Sequence, residues 1–215
     1  MDYTLRGYWR SSCSWRVRIA LALKGVSYDT VSVHLVQDGG QQHHSDHRDV
    51  NPMREVPVLL AGTEPLAQSM AILEYLEETV PSPALLPPTP LARARVRQMA
   101  EIINSGIQPI QNLRVMQHLG REYDIEKPGQ IQWSRHWIHL GFEGLHTLID
   151  QHGGRFSFGD QITIADLCLI PQLYNARRFG VDLNAFPKLT AIESECSANP
   201  AFMAAHPDQQ PDAIV

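Results

Sequence analysis

Ser11, Ser12, Cys13 and Ser14 form a run of small side chains ending in hydroxyl or thiol, with Arg10 before it and Trp15-Arg16 after it. The run falls between a short strand-like stretch, Thr4 to Trp9, and a helical stretch, Ser14 to Lys24. The first N–H groups of a helix have no partner within it and carry roughly half a positive charge. A thiolate placed there is stabilised, and its pKa falls. The hydroxyls of Ser11, Ser12 and Ser14 supply further donors. The local chemistry suits an anionic sulfur, belonging either to Cys13 or to a thiol ligand. The plainer alternative is helix capping by the serines and apolar filling by Cys13. One serine is enough for a cap, however, and three around a cysteine exceed that need. No second cysteine completes a C-x-x-C pair, which argues against disulfide exchange.

Two further places carry binding chemistry. A cis bond at Val56-Pro57 would turn the N–H and C=O of Val56 outward, where a peptide ligand could pair with them as an added strand. Gln68-Ser69 opens a helix. Ser69 reads as its N-cap, and the helix N-terminus attracts a carboxylate.

The elements that must position these residues follow from periodicity and punctuation. The first eighty or so residues read as β-α-β-α-β-β-α. Trp15, Ile19, Ala22 and Leu23 form an apolar stripe at helical spacing, and Gly25 ends that helix. Tyr28 to Leu35 alternates and is rich in β-branched residues, which predicts a strand. Gln37 to Asn51 is polar, a loop with room for a short helix. Val56 to Leu60 predicts a strand, Gly62-Thr63 a hairpin turn, and Pro65 to Ala67 its return. Ser69 to Thr79 predicts a helix with Ile72, Leu73 and Leu76 inward.

Composition then changes. Pro81 to Pro90 holds five prolines in ten residues, which predicts a linker. Beyond it the chain reads as helical: Leu91 to Leu119, bent near Gly106 and Pro109, then Ile131 to Gln151, Thr163 to Arg178 and Phe186 to Ser197. Thr163-Ile164-Ala165-Asp166 resembles a capping box. The tail from Pro207 is polar and extended. The expected division is 1–82, linker 83–90, and 91–215.

Bulk properties exclude several classes. Eighteen Lys and Arg against 23 Asp and Glu give a net charge of -5, with no basic run for a nucleic acid. No apolar stretch has the length of a membrane span or a signal peptide. Three widely spaced cysteines argue against a disulfide framework, so a reduced, cytoplasmic setting is expected. His43, His44 and His47 lie in a polar stretch without a partnering cysteine, and no metal site is expected there.

The quoted residues also carry a resemblance. Arg10-Ser-Ser-Cys-Ser-Trp-Arg, Asp38-Gly-Gly-Gln-Gln, Asn51-Pro-Met-Arg-Glu-Val-Pro, Gln68-Ser, Gly106-Ile-Gln-Pro-Ile-Gln-Asn-Leu and Ala165-Asp-Leu-Cys-Leu-Ile-Pro-Gln are similar to the zeta class of glutathione transferases. The resemblance spans about residues 4 to 212. It implies an α/β, thioredoxin-like N-terminal domain, an all-α C-terminal domain, a homodimer, and glutathione as cofactor. It further implies that Ser11 activates the glutathione sulfur, with Ser12, Cys13 and Ser14 beside it and Cys13 secondary. Val56 and Pro57 would meet the cysteinyl backbone, Gln68 and Ser69 the γ-glutamyl end, and Gln42 the tripeptide from its loop. Gln108 and Asn112 match cofactor positions of the helical domain.

The activity implied is conversion of maleylacetoacetate to its trans isomer by thiolate addition, bond rotation and elimination. The substrate is a small oxo-acid with carboxylates, for which arginine offers a matching fork. Arg10 adjoins Ser11, Arg178 aligns with an arginine of the class, and Arg114 stands at a position that lines the site of the class but where many of its maleylacetoacetate isomerases carry a smaller polar residue. Arg114, Arg177-Arg178 and Gly154 to Asp160 also resemble a bacterial branch acting on maleylpyruvate in aromatic-acid degradation. A general transferase that conjugates small electrophiles is the remaining alternative.

Overall fold

The computed structural model describes residues 2–214. They form two compact units, 2–84 with 197–214, and 85–196.

The first unit is built on β1 (Tyr3–Gly7), β2 (Asp29–Ser32), β3 (Val58–Ala61) and β4 (Glu64–Ala67), in the order β2-β1-β3-β4. β1 and β2 run parallel, and β3 and β4 are antiparallel to their neighbours. Pro65 is tolerated because β4 is an edge strand. Gly62, at φ 63°, makes the hairpin turn into it. Both β2 and β3 are shorter than expected: Tyr28 and Val33 to Leu35 lie outside β2, and Val56-Pro57 lies outside β3.

Helix α1 (Ser12–Leu23) follows β1, α2 (Ser45–Arg48) sits in the long polar loop, and α3 (Ser69–Thr79) follows β4. α1 packs against α3 and against α9 (Pro200–Ala205). It is therefore buried on several sides, with Val17, Ile19, Ala20 and Leu21 fully enclosed. That is more than one stripe, and Ala22 and Leu23 lie only half-buried. α1 ends in a Schellman motif: Val26 N donates to Leu21 O and Gly25 N to Ala22 O. Residues 197–214 belong with this unit, although composition alone assigns them to the helical region. A composition break marks where the chain leaves a unit and gives no signal where it returns.

The second unit contains α4 (Pro90–Glu101), α5 (Leu113–Tyr123), α6 (Lys127–His152), α7 (Ile164–Arg178) and most of α8 (Pro187–Ser197). The helix expected over 91–119 is broken. A π-helical turn, Ile102–Ile107, follows α4, and Asn112 caps a new helix. Gly141 on α6 allows the close approach of Ile107, whose Cδ1 would lie 2.3 Å from an added Cβ. α7 is buried along most of its length. Its capping box forms as expected, with Asp166 accepting from Thr163 N at 2.7 Å and from Ser157 N at 2.8 Å.

Candidate functional site in the first unit

The register of the sheet gathers the expected residues at one end. Gly7 at the end of β1 lies opposite Ser32 at the end of β2, Arg6 opposite Val58 at the start of β3, and Val58 opposite Ala67 at the end of β4. The segments holding Ser11, Val56 and Gln68-Ser69 all leave the sheet at this end, as does the loop that holds Gln42.

Ser11 is the N-cap of α1, with extended backbone at φ -69° and ψ 121°. Its Oγ accepts from Ser14 N at 3.2 Å. That bond occupies a lone pair and leaves the hydroxyl hydrogen able to donate elsewhere. Ser12 is buried and Cys13 half-buried in the first helical turn. Ser14, expected beside the cofactor sulfur, is instead fully buried: its Oγ accepts from Tyr8 N at 3.4 Å and braces the turn. A Cβ on Gly7 would come within 3.2 Å of that Oγ, so glycine permits the approach.

Arg10 is half-exposed, and its guanidinium stacks over the Trp9 ring, 5.2 Å from the centroid. Cation–π stacking holds the planar fork without using its N–H donors.

The Val56–Pro57 bond is cis. Neither the N–H nor the C=O of Val56 bonds to another described residue. Two main-chain groups at the end of a sheet strand are thus open to a peptide partner. His47, fully buried, and Asn51 hold the preceding residue by bonding Glu55 O, each at 2.9 Å.

At the start of α3 the N-cap is Gln68, not Ser69. Gln68 adopts φ 71° and ψ 114°, a conformation that costs a non-glycine residue of the order of 1–3 kcal/mol and concentrates at ligand sites. Ser69 is the first helical residue, and its Oγ accepts from the buried Arg16 Nη1 at 3.2 Å. Arg16 was legible only as a flank of the serine motif, because nothing local shows that a helical arginine will be fully enclosed.

Gln42 is buried within a short 3-10 turn. Its Nε2 donates to Leu35 O at 3.3 Å, while its Oε1 has no hydrogen-bond partner. An unpaired buried amide oxygen is costly unless a ligand donor satisfies it. Together with the open main chain of Val56 and the strained Gln68, it fits a peptide-like thiol with a free amino-acid end. Among the described residues no group of three or more His, Cys, Asp or Glu is arranged to hold a metal ion.

The second unit carries the other expected positions. Gln108 follows the π-helical turn and is half-buried. Asn112 is the N-cap of α5, and its Oδ1 accepts from Arg114 N at 3.2 Å. Arg114 is exposed on the first turn of α5. Arg178 ends α7, exposed, with Nη1 donating to Asn175 Oδ1 at 3.2 Å. Its neighbour Arg177 is engaged instead by Glu193.

A mixed four-stranded βαβ-ββα unit with its site at one sheet end, joined to a helical unit, is the architecture of glutathione transferases. Residues 10–79 match the family of the glutathione S-transferase N-terminal domain. A probable maleylacetoacetate isomerase of Drosophila melanogaster is 49% identical over 208 residues, covering 97% of this chain and 89% of the relative. A bacterial maleylpyruvate isomerase of the zeta class superposes with a TM-score of 0.95 at 41% identity, covering 98% of this chain and 100% of that one. The maleylacetoacetate isomerase of Anaeromyxobacter dehalogenans 2CP-1, solved with dicarboxyethyl glutathione and citrate in its active site, superposes at 0.87 with 47% identity, covering 99% and 94%. The chain belongs to the zeta class of glutathione transferases, the class of the maleylacetoacetate isomerases.

Proposed function

We propose that this chain catalyses the glutathione-dependent isomerisation of maleylacetoacetate to fumarylacetoacetate. The observation that carries the proposal is the state of Ser11, whose oxygen is fixed as an acceptor while its hydrogen is left to donate. When bound, glutathione supplies a thiol sulfur that can add reversibly to an activated cis double bond, making it a single bond free to rotate. The Ser11 hydroxyl and the N-terminus of α1 hold that sulfur as an anion, with Ser12 and Cys13 closing its pocket. Val56, beside Pro57, offers its N–H and C=O to the cysteinyl backbone. Gln68, Ser69 and Gln42 take the γ-glutamyl end and the tripeptide amides. Gln108 and Asn112 are the second unit's cofactor positions.

Arg10 is the first cation for a substrate carboxylate, and Arg114 and Arg178 are the candidates that the second unit carries for that role. No net proton is gained or lost over a turnover, so these groups need only orient the substrate and hold charge. A dicarboxyethyl group is what remains when a nucleophile adds across a butenedioic acid, and glutathione bearing it was bound by the Anaeromyxobacter relative. The proposal includes a homodimer in the cytoplasm, as the class implies.

Maleylpyruvate is the alternative substrate, because Arg114, Arg177-Arg178 and the stretch from Gly154 to Asp160 also resemble the bacterial branch that acts on it. Steady-state rates on both substrates at fixed glutathione discriminate. Maleylacetoacetate is expected to be the better substrate by kcat/KM, and a large preference for maleylpyruvate overturns the assignment.

A further inference from the structure

The C-terminal tail reaches back to the turn that sets Ser11. That turn spans Tyr8 to Ser11 and is closed by Ser11 N donating to Tyr8 O at 3.0 Å. Tyr8 O and Trp9 N–H belong to one peptide plane. On its carbonyl side the plane is held by Ser11 N and by Arg18 Nη1, the latter at 3.4 Å. On its N–H side it is held by Asp212 Oδ2, 3.1 Å from Trp9 N. The same carboxylate oxygen accepts from Ser32 Oγ at 2.8 Å, which ties it to the end of β2.

Arg18 is enclosed, 3% exposed, and also donates to Trp9 O at 2.8 Å and to Ala205 O at 3.1 Å. The turn is thus gripped by a cation from α1 and an anion from the tail. The next tail residue, Ala213, packs on the cluster of Tyr8, Trp9, Val33 and Val56. The tail therefore reaches both the turn before Ser11 and the apolar cluster to which Val56 belongs.

We infer that Asp212 is a positioning residue: it pins the Tyr8–Trp9 peptide and thereby sets the Ser11 hydroxyl against the cofactor sulfur. The inference rests on the assignment of Ser11 above. Rotation of this peptide plane would break the Tyr8 O···Ser11 N bond that closes the turn. A small displacement of a catalytic donor can cost roughly a hundredfold in rate.

The test compares full-length wild type, Asp212→Ala and Asp212→Asn. It uses pH profiles of kcat/KM with maleylacetoacetate, ultraviolet difference spectra of the thiolate of bound glutathione, and thermal unfolding. Asp212→Ala is expected to lose about tenfold or more in kcat, to move the rising limb of the profile to higher pH, and to lose thiolate absorbance at neutral pH. Asp212→Asn keeps an acceptor for Trp9 N–H and is expected to restore most of both signals. An Asp212→Ala enzyme that melts earlier but keeps the wild-type pH limb and thiolate absorbance overturns the inference, leaving the tail a structural brace.

If Asp212→Ala fails to fold, Ser32→Ala loosens the carboxylate from outside the turn. It is expected to shift the limb in the same direction by less, and an unshifted limb overturns the inference. Wild-type protein that binds glutathione without any thiolate signal sinks the Ser11 assignment itself, an outcome distinct from the failure of Asp212 alone.

Discussion

Ser11→Ala removes one oxygen that caps α1 and, in the proposed function, serves the cofactor sulfur, and the two losses are read by different assays. As N-cap, Ser11 Oγ accepts from Ser14 N at 3.2 Å. Losing a cap costs about 1 kcal/mol of stability, with a range of roughly 0.5–2. That loss appears as a lower urea midpoint with an unchanged slope. In its proposed role as donor to the cofactor sulfur, the hydroxyl would make a hydrogen bond to a charged acceptor, worth about 1.5–3 kcal/mol. At about 1.4 kcal/mol per unit, this amounts to roughly 1–2 units of thiol pKa. The sign is fixed, because losing a donor to the anion disfavours the anion. The thiol pKa rises, and the rising limb of kcat/KM moves to higher pH. At neutral pH, kcat is expected to fall by about 10² or more, in line with the loss of an oxyanion-type donor. Ser11→Thr keeps both the oxygen and its hydrogen and is expected to retain most of the activity. A Ser11→Ala enzyme with wild-type kcat and an unmoved pH limb would refute the assigned role, even if it were less stable.

Two predictions concern stability in the same unit. Lys24 Nζ is buried and donates to Glu77 Oε2 at 2.9 Å, Val80 O at 2.6 Å and Pro83 O at 2.9 Å. Lys24→Met strands those acceptors and is expected to cost about 3–5 kcal/mol by urea unfolding; a change within half a kcal/mol or so contradicts the buried pairing. Burial, assisted by Arg6 and opposed by the bond to Glu55 O, holds the His47 imidazole below its ordinary pKa. Its contribution is complete above the unfolded value of about 6.5 and is lost as pH falls from there toward the folded value, because the unfolded chain takes up a proton that the native state resists. The urea midpoint should drop between about pH 7.5 and 5.5, and by less in His47→Gln; equal drops in both proteins contradict it.

The sequence discloses what is local. The cap at Ser11, the capping box at Thr163 and Asp166, the hairpin at Gly62 and the helix from Ser69 all follow from residues a few positions apart, and all are present. The break in the helix expected over 91–119 was visible only as a bend near Gly106 and Pro109. Whether such a place bends or breaks depends on what packs there, here Ile107 against Gly141. Ser69 looked like an N-cap because serine favours that place, but its hydroxyl instead accepts from Arg16, which is more than fifty residues away in sequence. Ser14 looked like a ligand contact because it sits in the motif, yet its hydroxyl faces Tyr8 N. Arg16, Arg18 and Asp212 could not be singled out from the sequence. Buried charges follow no local pattern, and their partners lie on elements brought together only by the fold.

On the proposed assignment of Ser11, these unpatterned charges explain how a short polar turn would do chemistry. An anion-stabilising site works only if its dipoles are fixed before the anion forms, since a donor that must swing into place gives back much of what it supplies. Left to itself, Tyr8 to Ser11 is a four-residue turn closed by one hydrogen bond, and such a turn reorients readily. Here Tyr8 N is held by Ser14 Oγ, Tyr8 O by Ser11 N and Arg18, Trp9 N by Asp212, and Trp9 O by Arg18. Each of these main-chain groups is bound by a helix residue or by the tail, so the rigidity of α1 and of the sheet is passed to the turn. Cys13 lies within the helix, downstream of these restraints, whereas Ser11 is the residue at which they converge. That convergence, more than the motif's count of hydroxyls, is the physical reason to place Ser11 ahead of Cys13.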